Sequence, residues 1–110
     1  MFGMSFGPKN VTVEEAHATL GSDGHALVDV RTHDEVSEVF VPGALHIPLD
    51  RLEVEAHKLK DYESVHVMCR SGGRSAMATS TLHGLGMTHA KNVSGGIIAW
   101  QSAKLPTKKN

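Results

Sequence analysis

The chain has 110 residues, of which 40% are hydrophobic and 21% charged, with a net charge of −1. That length supports one hydrophobic core and is short for two. The balanced charge leaves no electrostatic footprint for nucleic acid or an anionic membrane, and no apolar run approaches the roughly 18 residues that would span a bilayer.

The opening MFGMSFGPKN has no basic segment leading into an apolar stretch, so no signal peptide is expected. Cys69 is the single cysteine and cannot close an internal disulfide, which removes the usual mark of a small secreted domain. The cytoplasm is the expected location. Residues 1–10 read as a lead-in, 11–106 as one domain and 107–110 as a C-terminal tail.

Thr12-Val13-Glu14-Glu15 is a capping box and predicts a helix from about Val13 to Leu20, stopped by Gly21. Ala26 to Val30 is a short apolar run rich in β-branched residues, suited to a buried parallel strand. Thr32-His33-Asp34-Glu35 repeats the capping signature and should open a helix ending before Pro42-Gly43. Asp50 to Glu53 gives the signature a third time, ahead of a helix to about Leu59. A second strand, Ser64 to Met68, runs directly into Cys69.

Helix formers follow from Ser75, through Ala76, Met77, Ala78 and Leu82, to a stop near Gly84 or Gly86. Ala90 to Val93 is a short strand candidate, Gly95-Gly96 precedes a helix from about Ile97 to Ala103, and Pro106 with the lysine-rich tail should fray. Strand–helix alternation at this length implies an α/β domain, with a mainly parallel central sheet covered by helices on both faces. Ligands of such sheets sit at the carboxyl ends of the strands, where Cys69 is expected.

The surroundings of Cys69 suit a reactive thiol. A thiolate is stabilised by a helix N-terminus and by neighbouring cations. In VMCRSGGRS, Arg70 and Arg74 bring the cations, and Ser71 and Ser75 bring hydroxyl donors or a helix cap. Gly72 and Gly73 can take backbone angles closed to other residues, so that successive N–H groups converge on one point. The competing reading is a buried cysteine acting as a small hydrophobe.

Two chemistries would use such a cradle. A cysteine phosphatase loop wraps a phosphoryl group and has an arginine six positions after the cysteine. Arg74 stands five positions after Cys69. The shorter loop makes a tighter ring of amides, suited to one extra sulfur atom on the thiol.

Three blocks in order resemble the rhodanese family of sulfurtransferases in its single-domain form: LVDVRTHDEVSEVFVPGALHIPL (Leu27–Leu49), CRSGGRSA (Cys69–Ala76) and NVSGGIIAW (Asn92–Trp100). With their spacing they cover the chain from about Val11 to Pro106. One stretch departs from the family: Val39-Phe40-Val41 stand where Gly-His-Ile is usual before Pro-Gly-Ala. Valine for glycine restricts the backbone at the end of that helix, and a polar imidazole is lost.

The resemblance implies a double displacement. The Cys69 thiolate takes the outer sulfur of a small anionic donor such as thiosulfate, and the resulting persulfide passes it to cyanide, a thiol or a protein acceptor. Arg70, Ser71, Gly72, Gly73, Arg74 and Ser75 form the binding loop, with Arg74 facing the donor or bracing the loop from inside. No cofactor is implied. A second reading is a persulfide carrier or interaction module that delivers sulfur to a protein and turns over little by itself. Phosphatase or arsenate chemistry, and an inactive interaction domain, are weaker alternatives.

Other residues carry competing readings. Asp29 and Arg31 end the strand beside that of Cys69, where they could line the pocket, but a structural ion pair is favoured. The eight histidines, at 17, 25, 33, 46, 57, 66, 83 and 89, show no zinc-ligand spacing, so no metal is expected and most should be solvated surface. His66 is the one expected to be partly buried. Trp100, Met77 and Met87 read as core, and Lys104, Lys108 and Lys109 as a solvated tail.

Overall fold

The computed structural model describes residues 9–110. The rest of the lead-in lies outside the described residues. Five parallel strands form the central sheet in the order β1 (Asn10–Val11), β6 (Ala90–Val93), β5 (Ser64–Met68), β2 (His25–Asp29) and β4 (Leu45–His46). β2 pairs with β5 over its whole length, from His25 opposite Ser64 to Asp29 opposite Met68.

Alternation along the strands divides the core in two. Ala26, Val28, Val30, Val65, Val67 and Cys69 pack with Leu52, Ala56, Leu59, Ala78 and Leu82 on one face, under α3 (Leu52–Glu55) and α4 (Gly73–Gly84). Leu27, Met68 and Val93 pack with Val13, Ala16, Ile97 and Trp100 on the other, under α1 (Val13–Thr19) and α5 (Gly96–Ser102). Both faces are therefore covered by helices, as the alternation predicts. No helix among the described residues is long and apolar enough to cross a membrane.

Two of the three capping boxes form. Thr12 and Glu15 exchange backbone-to-side-chain bonds of 2.9 and 3.0 Å at the start of α1. Thr32 and Glu35 do the same at the start of α2 (His33–Glu38). The third does not. Leu49 N–H is tied to the Val30 carbonyl and Arg51 N–H closes onto Pro48, so the chain enters a 3₁₀ turn before Asp50 can act as a cap. The segment to Leu59 is two 3₁₀ turns around a four-residue helix instead of one continuous helix.

The departure at Val39 carries no strain. Its φ of −154° is ordinary extended backbone. Val39-Phe40 form β3, which pairs antiparallel with β7 (Lys108–Lys109), with Phe40 opposite Lys108. The tail predicted to fray is thus ordered, and Trp100 Nε1–H donates to the Pro106 carbonyl at 2.8 Å behind it. β1 and β4 were also missed, because two-residue strands carry no periodic signal.

Trp100 and Met87 are core residues, whereas Met77 is 66% exposed and is not. It lies on the solvent side of α4, where Ala78 and Leu82 already fill the inner face. His66 is buried, and burial pulls its pKa below the usual histidine value. Several other histidines are struts and not merely solvated. His46, His83 and His89 make ring-nitrogen hydrogen bonds to the carbonyls of Arg31, Ala90 and Leu59.

Candidate active site

Cys69 leaves the carboxyl end of β5 on the α4 side of the sheet and is only 1% exposed. The next residues turn sharply into α4, which starts at Gly73, two residues before the predicted Ser75. Gly72 makes the turn at φ 111°, a left-handed conformation, and a side chain there would press on the Gly95 amide at 3.3 Å. Gly73 needs no such freedom. Its φ is not positive and an added Cβ would meet open space.

The turn aims donors at sulfur. Gly72 N–H points to Cys69 Sγ at 3.1 Å and the Ser75 hydroxyl at 3.2 Å. Burial pushes the thiol pKa up, but hydrogen bonds from the Ser75 hydroxyl and from the N–H groups of Ser75, Gly72 and Ser71 outweigh it. The net result lies below the usual thiol value. Ser75 therefore serves the sulfur and does not cap α4, whose N-cap is Gly72 without a side-chain bond.

The loop is held from behind by the Gly95-Gly96 segment. Ile97 N–H donates to the Cys69 carbonyl at 2.9 Å and Ile98 N–H to the Arg70 carbonyl at 3.1 Å. With these carbonyls turned toward α5, the following amides are free to point at sulfur. Gly96, at φ 57°, lets α5 approach this closely, since a Cβ would collide with both carbonyl oxygens.

The two arginines of the loop part company. Arg74 grips Glu35 of α2 through two bonds of 2.7 and 2.8 Å. The Arg74 bonds hold the Glu35 carboxyl at about 2, well below its ordinary range. Arg70 is exposed and makes no salt bridge among the described residues. It lines a small hollow of about 120 Å³ with Glu38, Ile98 and Gln101. On the Arg74 side an open cleft of about 430 Å³ runs between Val30, Thr32, His33 and Leu49.

Asp29 and Arg31 are both 2% exposed and form the favoured ion pair. Arg31 Nε and Nη2 hold the carboxylate at 2.8–3.0 Å, and Nη2 also donates to the Val39 carbonyl at 2.7 Å. The pair ties the end of β2 to the end of α2. It supports the rim of the site and offers no open charge to it.

Sequence reading missed Glu35 as the partner of Arg74, and Asn92, whose Oδ1 lies 2.5 Å from Ser75 Oγ. Glu35 was visible only as a capping residue, and Asn92 only as the first letter of the NVSGGIIAW block. Among the described residues, no three His, Cys, Asp or Glu side chains gather as a metal site.

A buried thiol at the carboxyl end of a central parallel strand, ringed by amide and hydroxyl donors, is the arrangement that the three sequence blocks anticipate. Residues 12–103 match the Rhodanese-like domain family. The chain belongs to the rhodanese family. Thiosulfate sulfurtransferase 16 of Arabidopsis thaliana, named as chloroplastic, is 36% identical, covering 92% of this chain and 93% of the relative. The human thiosulfate:glutathione sulfurtransferase is 32% identical over 86% of this chain and 94% of its own length. A rhodanese-like domain protein from Staphylococcus aureus superposes with a TM-score of 0.76 at 33% identity, covering 84% of this chain and 90% of that one.

Proposed function

We propose that this rhodanese-family chain is a sulfurtransferase that carries sulfane sulfur on Cys69. The observation that carries the reading is the set of donors converging on Cys69 Sγ from Gly72, Ser71 and Ser75. Such donors stabilise an anionic sulfur, whether a thiolate or the terminal sulfur of a persulfide. The relatives named for thiosulfate support the choice of donor.

The thiolate attacks the outer sulfur of thiosulfate, forming an S–S bond as the S–S bond of the donor breaks. Sulfite leaves with the electron pair. Cyanide, a thiol or a protein thiolate then attacks the terminal sulfur of the persulfide and returns Cys69 as thiolate. Charge balances in both steps and no general base is needed. Arg70, exposed and without a salt bridge among the described residues, draws the anionic donor to the loop. Arg74 acts as a brace through Glu35, which also weighs against phosphatase chemistry, since that arginine would have to face the anion. The cytoplasm is the proposed compartment, where reducing conditions keep the Cys69 thiol available for transfer.

Steady-state assays with thiosulfate and 3-mercaptopyruvate as donors, against cyanide and glutathione as acceptors, test this reading. Parallel double-reciprocal plots and complete loss in Cys69→Ala are expected. Turnover that survives in Cys69→Ala sinks it. Rapid loading of Cys69 with slow release to every small acceptor favours the second reading, a carrier that hands sulfur to a protein partner.

A further inference from the structure

Behind the Cys69 loop, Ser75 leads into two further polar side chains, Asn92 and Asn10, that the transfer chemistry does not use. Ser75 is fully buried and Asn92 is 5% exposed. Ser75 Oγ lies 3.2 Å from Cys69 Sγ and 2.5 Å from Asn92 Oδ1. Asn92 Nδ2 in turn donates to Asn10 Oδ1 at 2.9 Å, across the β1–β6 pairing in which these two residues stand opposite each other. The line runs from the exposed edge of the sheet to the sulfur.

A hydroxyl has one proton. Ser75 therefore cannot donate to Sγ and to Asn92 Oδ1 at once, although both acceptors are within reach. The shorter bond goes to Asn92. Turning both asparagine amides over keeps the Asn10–Asn92 bond with donor and acceptor exchanged. Asn92 then donates to Ser75 Oγ, and the hydroxyl proton is left for sulfur.

We propose that Asn92 is a positioning residue for Cys69: its amide, steered by Asn10, decides whether the single Ser75 proton points at Sγ. When sulfur is a neutral thiol, Ser75 donates to Asn92. When it becomes anionic, the amides turn and Ser75 donates to sulfur, its hydroxyl polarised by the Asn92 N–H behind it. The charged groups around this sulfur are Arg70 in the loop, Arg74 on α4 with Glu35 on α2, and the Asp29–Arg31 pair at the end of β2. From β6 and β1 come the neutral amides of Asn92 and Asn10, while Lys91 of β6, alternating with Asn92, points to the opposite face beside His66 and Glu15.

The proposal rests on Cys69 as the sulfur carrier, but its test needs no sulfur transfer. Alkylation of Cys69 by iodoacetamide is followed across pH in wild type, Ser75→Ala, Asn92→Asp and Asn10→Asp. A carboxylate at either asparagine accepts hydrogen bonds and cannot donate them. At position 92 it takes the Ser75 proton directly. At position 10 it holds Asn92 Nδ2, leaving Oδ1 toward Ser75. Each variant is expected to slow alkylation at pH 7 by about tenfold, the size of one hydrogen bond to a charged group, and to move the rate profile to higher pH.

In a Ser75→Ala background, adding either carboxylate is expected to slow alkylation by less than about twofold, because the proton being steered is gone. Equal slowing with and without Ser75 overturns the proposal, since it would mean that the new charge acts through space. No slowing in either single variant overturns it as well. Asn10→Asp lies at the exposed edge and carries the test if Asn92→Asp does not fold. Failure of thiosulfate loading with these alkylation results intact would remove the proposed function and leave the relay standing.

Discussion

Gly96 meets the sulfur loop more tightly than any side chain would allow. Its Cα faces the carbonyls of Cys69 and Arg70, which α5 holds through the amides of Ile97 and Ile98. A methyl group must push α5 back, and the push travels to the peptide that aims Gly72 N–H at sulfur. The positive φ adds strain for any L side chain. Gly96→Ala is expected to lower stability by about 2–3 kcal/mol and to slow thiol alkylation at neutral pH, read by urea denaturation and iodoacetamide kinetics. Wild-type behaviour in both would show that the loop does not depend on this contact. The sequence made the glycine pair visible as a motif. It could not say that the pair's purpose is to support residues 26 and 27 positions earlier.

At the scale of elements, the Glu35–Arg74 bridge joins the start of α2 to the start of α4. Glu35 also accepts from Thr32 N–H, so one carboxylate closes a helix cap and braces the arginine of the Cys69 loop. Its folded pKa, about 2, lies below the ordinary 4.5. A depressed carboxyl contributes stability that is fully present above pH 4.5 and lost as pH falls toward 2. Glu35→Gln is expected to cost on the order of 1 kcal/mol at pH 7, allowing for water at both side chains. In urea titrations the gap from wild type should close between pH 4.5 and about 2. A gap that persists at the low end would assign the loss to the cap alone. Two capping boxes were legible because their bonds are local. The third failed because the carbonyl of Val30, just past the end of β2, captures the chain first, a contact made across sequence.

Across the whole molecule, the sheet order β1-β6-β5-β2-β4 puts Cys69 just past the carboxyl end of the central strand, with the Asp29–Arg31 end of β2 on one side and Asn92 of β6 on the other. The apolar strands β2 and β5 and the helices α1, α4 and α5 facing them were readable from pattern alone, whereas the α3 segment was not. The two-residue pairs were not, since β3 with β7 exists only because Trp100 and Pro106 bring the tail back over the end of α2. The site was legible to the same depth. The residues contiguous with Cys69 were found, whereas Glu35, Asn92 and the supporting role of Gly96 come from other elements and needed the fold to meet.

The central claim is that Cys69 accepts one sulfur atom from an anionic donor. Intact mass spectrometry after incubation with thiosulfate measures it directly. Wild type should gain the mass of one sulfur, lose it on addition of cyanide, and Cys69→Ala should gain nothing. A wild-type protein that stays unmodified, or a Cys69→Ala variant that takes up the same mass, would contradict the account.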